Sequence, residues 1–121
     1  MSIPLLICDD SSMARKQVSR ALPPDWDVAV TYAENGQQGL ESIRAGKGEI
    51  VFLDLTMPVM DGYQLLERVR EEGLKSMIIV ISADVQAEAR ERVMKLGALG
   101  FVRKPVDAER LAETLKTYGL L

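Results

Sequence analysis

Short apolar segments alternate five times along this chain with longer segments whose apolar residues recur at helical spacing. The five short segments are rich in β-branched residues and leucine, and they are Leu5–Cys8, Val28–Tyr32, Ile50–Leu53, Met77–Ile81 and Leu99–Val102. Strands alternating with helices are typical of βαβ units on a parallel sheet. The third segment is apolar throughout, as a central strand covered on both faces should be. The sequence therefore predicts an α/β fold, a doubly wound parallel sheet of five strands with five helices.

Start and stop signals delimit the predicted helices. Ser11 can cap the first helix, Pro23-Pro24 ends it, Gly46 and Gly48 close the second, and Gly97 closes the fourth. The residues expected to face the core are Ala14, Val18, Ala21 and Leu22, then Leu40 and Ile43, then Leu65, Leu66 and Val69, then Val85, Ala89, Val93 and Leu96, and finally Leu111, Leu115 and Tyr118.

Size and composition limit what the chain can be. With 121 residues and 47% hydrophobic content, residues 1–121 are expected to form a single domain. No apolar run approaches the roughly 20 residues that cross a bilayer, and the chain start does not resemble a signal peptide. We therefore expect a soluble, cytoplasmic protein. The net charge of -3, from 15 basic and 18 acidic residues, offers no basic surface for nucleic acid or membrane.

The inventory of reactive side chains is narrow. Histidine is absent, which excludes histidine triads, histidine-ligated zinc and a phosphohistidine on this chain. The single cysteine, Cys8, lies in an apolar strand and is expected to be a buried, inert thiol. Any chemistry must therefore use carboxylates, hydroxyls and lysine.

Polar side chains follow four of the predicted strands at the point where each ends. Asp9 and Asp10 follow the first strand, and Asp54 follows the third. Ser82 follows the fourth strand and Lys104 the fifth. The carboxyl ends of parallel strands meet at one edge of a sheet, where ligands bind. If the first and third strands are neighbours, three carboxylates share one crevice with a hydroxyl and an ammonium group.

Such a crevice carries more negative than positive charge. Close carboxylates repel one another unless a cation or a proton neutralises them. Oxygen ligands without histidine or thiolate favour Mg²⁺, which takes one or two carboxylates and leaves room for a phosphate oxygen. The alternative is that Asp9 and Asp10 only cap the first helix and that Lys104 is a solvated surface charge. Capping needs one acid, so the pattern favours a metal site.

An ordered set of short motifs resembles the receiver domain of bacterial two-component response regulators, the CheY-like family. The motifs are Asp9-Asp10, Asp54 followed by Met57-Pro58 and Asp61-Gly62, Ser82-Ala83, and Gly97-Ala98 leading to Phe101 and Lys104-Pro105. The resemblance covers essentially the whole chain and implies a flavodoxin-like sheet with strand order 2-1-3-4-5. It implies a phosphoacceptor switch that catalyses its own phosphorylation and dephosphorylation rather than a turnover enzyme.

The resemblance also implies a role for each site residue. Asp54 would be the nucleophile that forms an aspartyl phosphate with a phosphoryl group from a sensor histidine kinase. Asp10, Asp54 and the carbonyl of Thr56 would ligate Mg²⁺, and Asp9 would act through a metal-bound water. Lys104 would pair with Asp54 and then with a phosphoryl oxygen, held by a peptide that is cis in similar domains.

The same resemblance implies a switch. Ser82 would hydrogen-bond the phosphoryl group, and Phe101 would rotate inward, altering the surface of the fourth helix, fifth strand and fifth helix. A permanently buried Phe101 is the alternative. Thr56 and Asp84 lie where receivers differ, and we hypothesise that Asp84 tunes the phosphoryl lifetime; the alternative is that both only face solvent.

Competing interpretations differ in what they require. A flavodoxin-like cofactor binder would need a phosphate cradle that Asp9-Asp10 would repel. A haloacid-dehalogenase-type enzyme would need Asp-x-Asp after the first strand. Within the receiver interpretation, the chain is expected to be a stand-alone messenger, as in chemotaxis, or a receiver from a longer regulator with an effector or phosphatase domain, which the apolar Gly119-Leu120-Leu121 slightly favours. It would be a monomer or a phosphorylation-dependent dimer.

Overall fold

The computed structural model describes residues 2–84 and 86–121. Its strands are β1 (Ile3–Cys8), β2 (Val28–Ala33), β3 (Ile50–Leu53), β4 (Met77–Ser82) and β5 (Gly100–Arg103). Its helices are α1 (Ser12–Ala21), α2 (Gly36–Arg44), α3 (Gly62–Glu71), α4 (Ala87–Lys95) and α5 (Ala108–Thr117). The strands form one parallel sheet in the order β2-β1-β3-β4-β5. The predicted fold class and strand order are therefore confirmed.

The sheet separates two hydrophobic cores. Side chains of a strand alternate between its faces, so Leu5 and Ile7 of β1 pack with Val18 of α1 and Leu111 of α5. On the other face of the sheet, residues of β1 pack with residues of α2, α3 and α4 in a second core. Its members include Leu6, Cys8, Leu40, Leu65 and Val93. Burial on both faces explains why β3, in the centre of the sheet, is apolar at every position.

Most of the predicted boundaries and inward faces are correct to within a residue or two. Ser11 caps α1 by accepting a hydrogen bond from the Ala14 N–H at 3.2 Å. Gly46 and Gly97 follow α2 and α4 with positive φ angles of 81° and 102°, a conformation that glycine adopts without a Cβ penalty. Val85, predicted to face the core, lies outside the described residues.

The prediction that Tyr118 faces the core is wrong. Its side chain is 38% exposed because α5 ends one residue earlier and Tyr118 is the C-cap. The ring lies over Gly100 of β5, where a Cβ atom would come within 2.7 Å of it. Helical spacing predicts that Tyr118 lies on the same inward face as Leu111 and Leu115. Because the helix ends before Tyr118, its ring lies at the edge of the sheet instead.

No helix within the described residues is both long enough and apolar enough to span a membrane.

Candidate functional site

The adjacency of β1 and β3 brings the three predicted carboxylates together. Cys8 and Leu53 are paired in the sheet, and the Asp54 N–H donates to the Cys8 carbonyl at 2.9 Å. Asp9, Asp10 and Asp54 each contribute a carboxylate oxygen to a cluster in which these oxygens lie within 4.8 Å of one another. Asp9 and Asp54 are buried and Asp10 is exposed. The acidic crevice expected from the sequence is therefore present.

Lys104 lies between two of these carboxylates. Its Nζ atom donates to Asp9 Oδ2 at 2.8 Å and to Asp54 Oδ1 at 3.2 Å. Its backbone N–H donates to the Ser82 carbonyl at 2.9 Å, and the peptide between Lys104 and Pro105 is cis. The alternative of a solvated surface lysine does not describe this side chain, which instead offsets one of the three negative charges.

Asp9 and Asp10 do not serve as the cap of α1. The N-cap is Ser11, whose hydroxyl takes that role, while Asp9 Oδ1 accepts the Ser11 N–H at 3.0 Å. Asp9 is thus locked by Ser11 on one carboxylate oxygen and by Lys104 on the other. Side-chain capping of α1 is therefore the role of Ser11, and Asp9 instead links Ser11 to Lys104.

Burial and neighbouring charges shift the pKa values of both Asp54 and Lys104, which form the central ion pair. Burial raises the pKa of Asp54, the neighbouring Asp9 charge raises it further, and Lys104 opposes part of this rise. Burial alone would lower the pKa of Lys104, but the hydrogen bond to Asp9 and the charges of Asp54 and Asp9 outweigh it and raise that pKa. Lys104 is therefore held as an ammonium group, and Asp54 is a carboxylate of unusually high basicity.

The remaining predicted residues surround this cluster. Ser82 is buried at the end of β4, and its Oγ accepts the Asp84 N–H at 3.0 Å. Asp84 is exposed, and its Oδ1 accepts the Gln86 N–H at 3.0 Å just before α4. Thr56 is exposed in the β3–α3 loop. Phe101 is half-buried against the core shared by α2, α3 and α4.

Cys8 is buried, as predicted, and its thiol is not a member of the acidic cluster. Its Sγ lies 3.6 Å from Met57 Sδ and 3.5 Å from the Asn35 carbonyl. Burial, followed by the charges of Asp9 and Asp54, raises the pKa of the thiol to about 12. A thiol in this state is a core residue rather than a nucleophile.

Sequence reasoning missed Arg15. This side chain reaches back from α1 to the Asp9 main-chain carbonyl, to which Nη1 donates at 2.7 Å. A basic residue on an amphipathic helix normally extends into solvent, and its spacing from the aspartates gives no sign of this contact.

Sequence reasoning also missed the conformation of the loop that follows Asp54. The Met60 N–H donates to the Pro58 carbonyl at 2.7 Å around Val59, whose φ is 69°. This pattern is a γ-turn with a positive central φ, a strained geometry for a β-branched residue. The Gly36 N–H holds the turn in place by donating to the Met60 carbonyl at 2.9 Å. The first residue of α2 therefore holds the loop that contains Thr56 in place.

We expect Val59→Gly to stabilise the protein. Val59 is 80% exposed, so little packing is lost, whereas the left-handed conformation costs about 1–2 kcal/mol in a residue with a Cβ. After the entropic cost of glycine, the free energy of unfolding should rise by about 0.5–1 kcal/mol. Urea unfolding followed by Trp26 fluorescence measures it. Val59→Ala keeps the Cβ and should gain less; a loss of stability in Val59→Gly would contradict the prediction.

The chain belongs to the response regulator receiver domain family, whose sequence profile matches residues 5–116. A five-stranded doubly wound sheet with an acidic cluster at the carboxyl ends of β1 and β3 is the architecture of that class. Receiver domains are phosphoacceptor switches that take phosphoryl groups from histidine kinases and act on output domains or partner proteins.

Two curated relatives show the range of proteins in which this domain occurs. The chain is 37% identical over 111 residues to protein-glutamate methylesterase/protein-glutamine glutaminase 1 of Oleidesulfovibrio alaskensis, covering 90% of this chain and 30% of that protein. It is 32% identical over 111 residues to the chemotaxis protein CheY of Bacillus subtilis, covering 92% of each. The chain thus spans less than a third of the methylesterase and nearly all of CheY.

Among solved structures, the CheX-CheY-BeF₃-Mg²⁺ complex from Borrelia burgdorferi matches with a TM-score of 0.86 and 26% identity. The match covers 97% of this chain and 89% of that one.

Proposed function

We propose that this receiver domain accepts a phosphoryl group on Asp54 from a sensor histidine kinase in the cytoplasm, with Mg²⁺ as cofactor. The observation that carries the proposal is the contact of one Asp54 oxygen with Lys104 inside a cluster of three carboxylates. A buried carboxylate beside an ammonium group is arranged to attack phosphorus while the lysine neutralises charge on the phosphoryl oxygens.

The donor set fits a hard divalent cation. Asp9, Asp10 and Asp54 supply only oxygen atoms, and Lys104 cancels one of their three formal charges. A divalent cation would balance the remaining two, which matches the preference of Mg²⁺ for carboxylate oxygens. Asp10, Asp54 and the Thr56 carbonyl would hold it, with Asp9 acting through a bound water. When bound, Mg²⁺ would neutralise oxygens of the transferred group.

The chain's own residues then have distinct tasks. The Asp54 carboxylate attacks phosphorus as the donor's leaving group departs, and this step forms the aspartyl phosphate. Lys104 keeps its proton and moves its hydrogen bond from the carboxylate to a phosphoryl oxygen. Ser82 turns its hydroxyl from the Asp84 N–H toward the same group. The Borrelia complex contains BeF₃ and Mg²⁺ together with a CheY, and because BeF₃ is a phosphoryl mimic this supports the pairing of a phosphoryl group with Mg²⁺.

The output of the switch is proposed to be the surface formed by α4, β5 and α5. Phe101 is half-buried there, in a groove of about 400 Å³ that is also lined by Arg90, Arg103 and Arg110. Movement of Ser82 toward a phosphoryl group would draw the segment that follows β4 inward and give the Phe101 ring room to rotate. The receptor of this signal is a separate target protein, as for a CheY-like messenger, or an output domain of a longer regulator.

The test is phosphoryl incorporation from acetyl phosphate, read as intact mass. The protein should gain one phosphoryl group when Mg²⁺ is present and none when EDTA replaces it. Beryllofluoride binding distinguishes a fast-hydrolysing phosphoprotein from a protein that is not phosphorylated. If neither the mass increase nor beryllofluoride binding occurs, the proposal is wrong.

We expect Asp84→Asn to shorten the phosphoryl lifetime. Asp84 adds a negative charge two residues after Ser82, and such a charge disfavours the negative charge that develops on the Asp54 carboxylate as water attacks phosphorus and the P–O bond breaks. Its removal should speed loss of the phosphoryl group by about two- to threefold, a surface-charge effect of under about 1 kcal/mol. Asn can still accept the Gln86 N–H, whereas Asp84→Ala cannot, so the pair separates charge from loop geometry. An unchanged hydrolysis rate in Asp84→Asn would contradict the electrostatic role, and a change in Asp84→Ala alone would assign the effect to loop geometry.

A further inference from the structure

Arg15 differs from the other basic residues of its helix. Its side chain is only 15% exposed, whereas Lys16 and Arg20 are exposed. Nη1 donates to the Asp9 carbonyl at 2.7 Å, and Nη2 lies 3.8 Å from Glu34 Oε1. The guanidinium group therefore joins the β1–α1 loop to the end of β2. Nothing in the phosphoryl transfer described above uses it.

Asp9 is held at all three of its oxygen atoms. Oδ1 accepts from the Ser11 N–H, Oδ2 accepts from Lys104, and the main-chain oxygen accepts from Arg15. Asp10 differs, because its carboxylate is exposed and makes no hydrogen bond to any described residue. The position of the Asp10 carboxylate in the cluster is therefore set mainly by its backbone. Arg15 donates to the carbonyl of the peptide group that joins Asp9 and Asp10.

We propose that Arg15 is a positioning residue, which fixes the Asp9–Asp10 peptide so that the Asp10 carboxylate meets Asp54 at the spacing a divalent cation requires. The inference rests on the proposed Mg²⁺ site. Arg15 would act only through the backbone carbonyl, because its contacts are to that oxygen and to Glu34. Groups that orient a metal ligand commonly affect metal affinity as strongly as about 10- to 100-fold.

A positioning role and simple charge repulsion predict opposite changes in Mg²⁺ affinity when Arg15 is replaced. A guanidinium group beside the cluster repels a cation, so Coulomb's law alone predicts that Arg15→Gln binds Mg²⁺ more tightly. If Arg15 holds the loop, Arg15→Gln binds more weakly despite the gain in negative charge. Arg15→Lys keeps the charge but loses the fork that reaches the Asp9 carbonyl and Glu34 together.

The experiment is a Mg²⁺ titration of the unphosphorylated protein, followed by amide chemical shifts and by the rise in melting temperature with Mg²⁺. Wild type is compared with Arg15→Gln, Arg15→Lys and the control Arg20→Gln, which removes the same charge from an exposed position. We expect a dissociation constant about tenfold higher in Arg15→Gln, a smaller increase in Arg15→Lys, and no increase in Arg20→Gln. The melting temperatures in EDTA report whether each variant folds.

The outcomes separate this inference from the function on which it rests. Unchanged or tighter binding in Arg15→Gln, with normal binding in wild type, overturns the role of Arg15 alone. A lower melting temperature in EDTA with an unchanged dissociation constant also overturns it, because it shows a purely structural role. If wild type itself binds no Mg²⁺, or if Asp10→Asn binds it equally well, the proposed metal site fails and the role of Arg15 with it.

Discussion

Replacing Asp54 with Asn should abolish phosphorylation while leaving the fold intact. The amide has nearly the same shape as the carboxylate and can still accept from Lys104, but it is not a nucleophile. Incorporation from a phosphodonor should fall by at least about 10³-fold, in keeping with the loss of a catalytic nucleophile. The measurement is intact mass at saturating acetyl phosphate and Mg²⁺.

The matched control for this variant is Asp61→Asn. Asp61 also follows β3, but its carboxylate caps α3 by accepting the Gln64 N–H at 2.8 Å. Asn is an equally good N-cap, so this variant should fold and be phosphorylated normally. Incorporation that persists in Asp54→Asn, or that disappears equally in both variants, would contradict the assignment of Asp54.

The same variant tests the electrostatics of the cluster. A carboxyl whose folded pKa is raised contributes stability below its unfolded pKa, and this contribution is lost as pH rises through the folded pKa. Burial and the Asp9 charge raise the pKa of Asp54. Without Mg²⁺ at neutral pH, Asp54→Asn should therefore unfold at higher urea concentration than wild type. The gain should shrink as the pH falls toward the ordinary aspartate pKa. A less stable variant at neutral pH would show that the Lys104 pair outweighs these costs.

Gly62→Ala should be strongly destabilising. A Cβ at Gly62 would come within 2.6 Å of the Asp54 carbonyl and 2.8 Å of Leu55 Cα. The Gly62 N–H also donates to the Leu55 carbonyl at 3.0 Å, so the first residue of α3 cannot move away without losing that bond. We expect the free energy of unfolding to fall by about 2–3 kcal/mol, an overpacking cost against rigid backbone. The melting temperature should fall by on the order of 10 °C.

Helix propensity alone predicts the opposite change in the free energy of unfolding. Alanine at a helical position is favoured over glycine by up to about 1 kcal/mol, so a helix-only account expects Gly62→Ala to be more stable. Glu67→Ala, at an exposed position of the same helix, is the control and should change stability by less than about 0.5 kcal/mol. An unchanged or raised melting temperature in Gly62→Ala would show that the backbone relaxes. The clash displaces the Asp54 peptide, so we also expect slower phosphorylation.

The sheet and the acidic cluster could be predicted from the sequence because both follow from regularities of the chain. Alternating apolar runs and helical stripes specify the fold, and the carboxyl ends of parallel strands gather whatever polar residues follow them. Asp9, Asp54 and Lys104 are far apart in sequence, and their place after a strand puts them at one edge of the sheet. That β1 and β3 are neighbours, which brings the carboxylates together, does not follow from this pattern. The 2-1-3-4-5 order came from family resemblance.

The features that could not be predicted depend on contacts without periodicity. Tyr118 continues the inward stripe of α5 in sequence, but the helix ends before it. Val59 gives no sign of a positive φ, since β-branched residues avoid it. Arg15 resembles any solvated cation until the fold shows its reach to Asp9. Side-chain contacts of this kind become visible only in three dimensions, and two of these three residues lie within or beside the candidate site.

Phosphorylation of Asp54 is tested most directly by locating the phosphoryl group. The protein is treated with acetyl phosphate and Mg²⁺, the acyl phosphate is reduced with borohydride to homoserine, and peptide mass spectrometry identifies the converted residue. We expect conversion of Asp54 alone, dependent on Mg²⁺. Conversion at Asp9 or Asp10, or none despite a gain in intact mass, would contradict it.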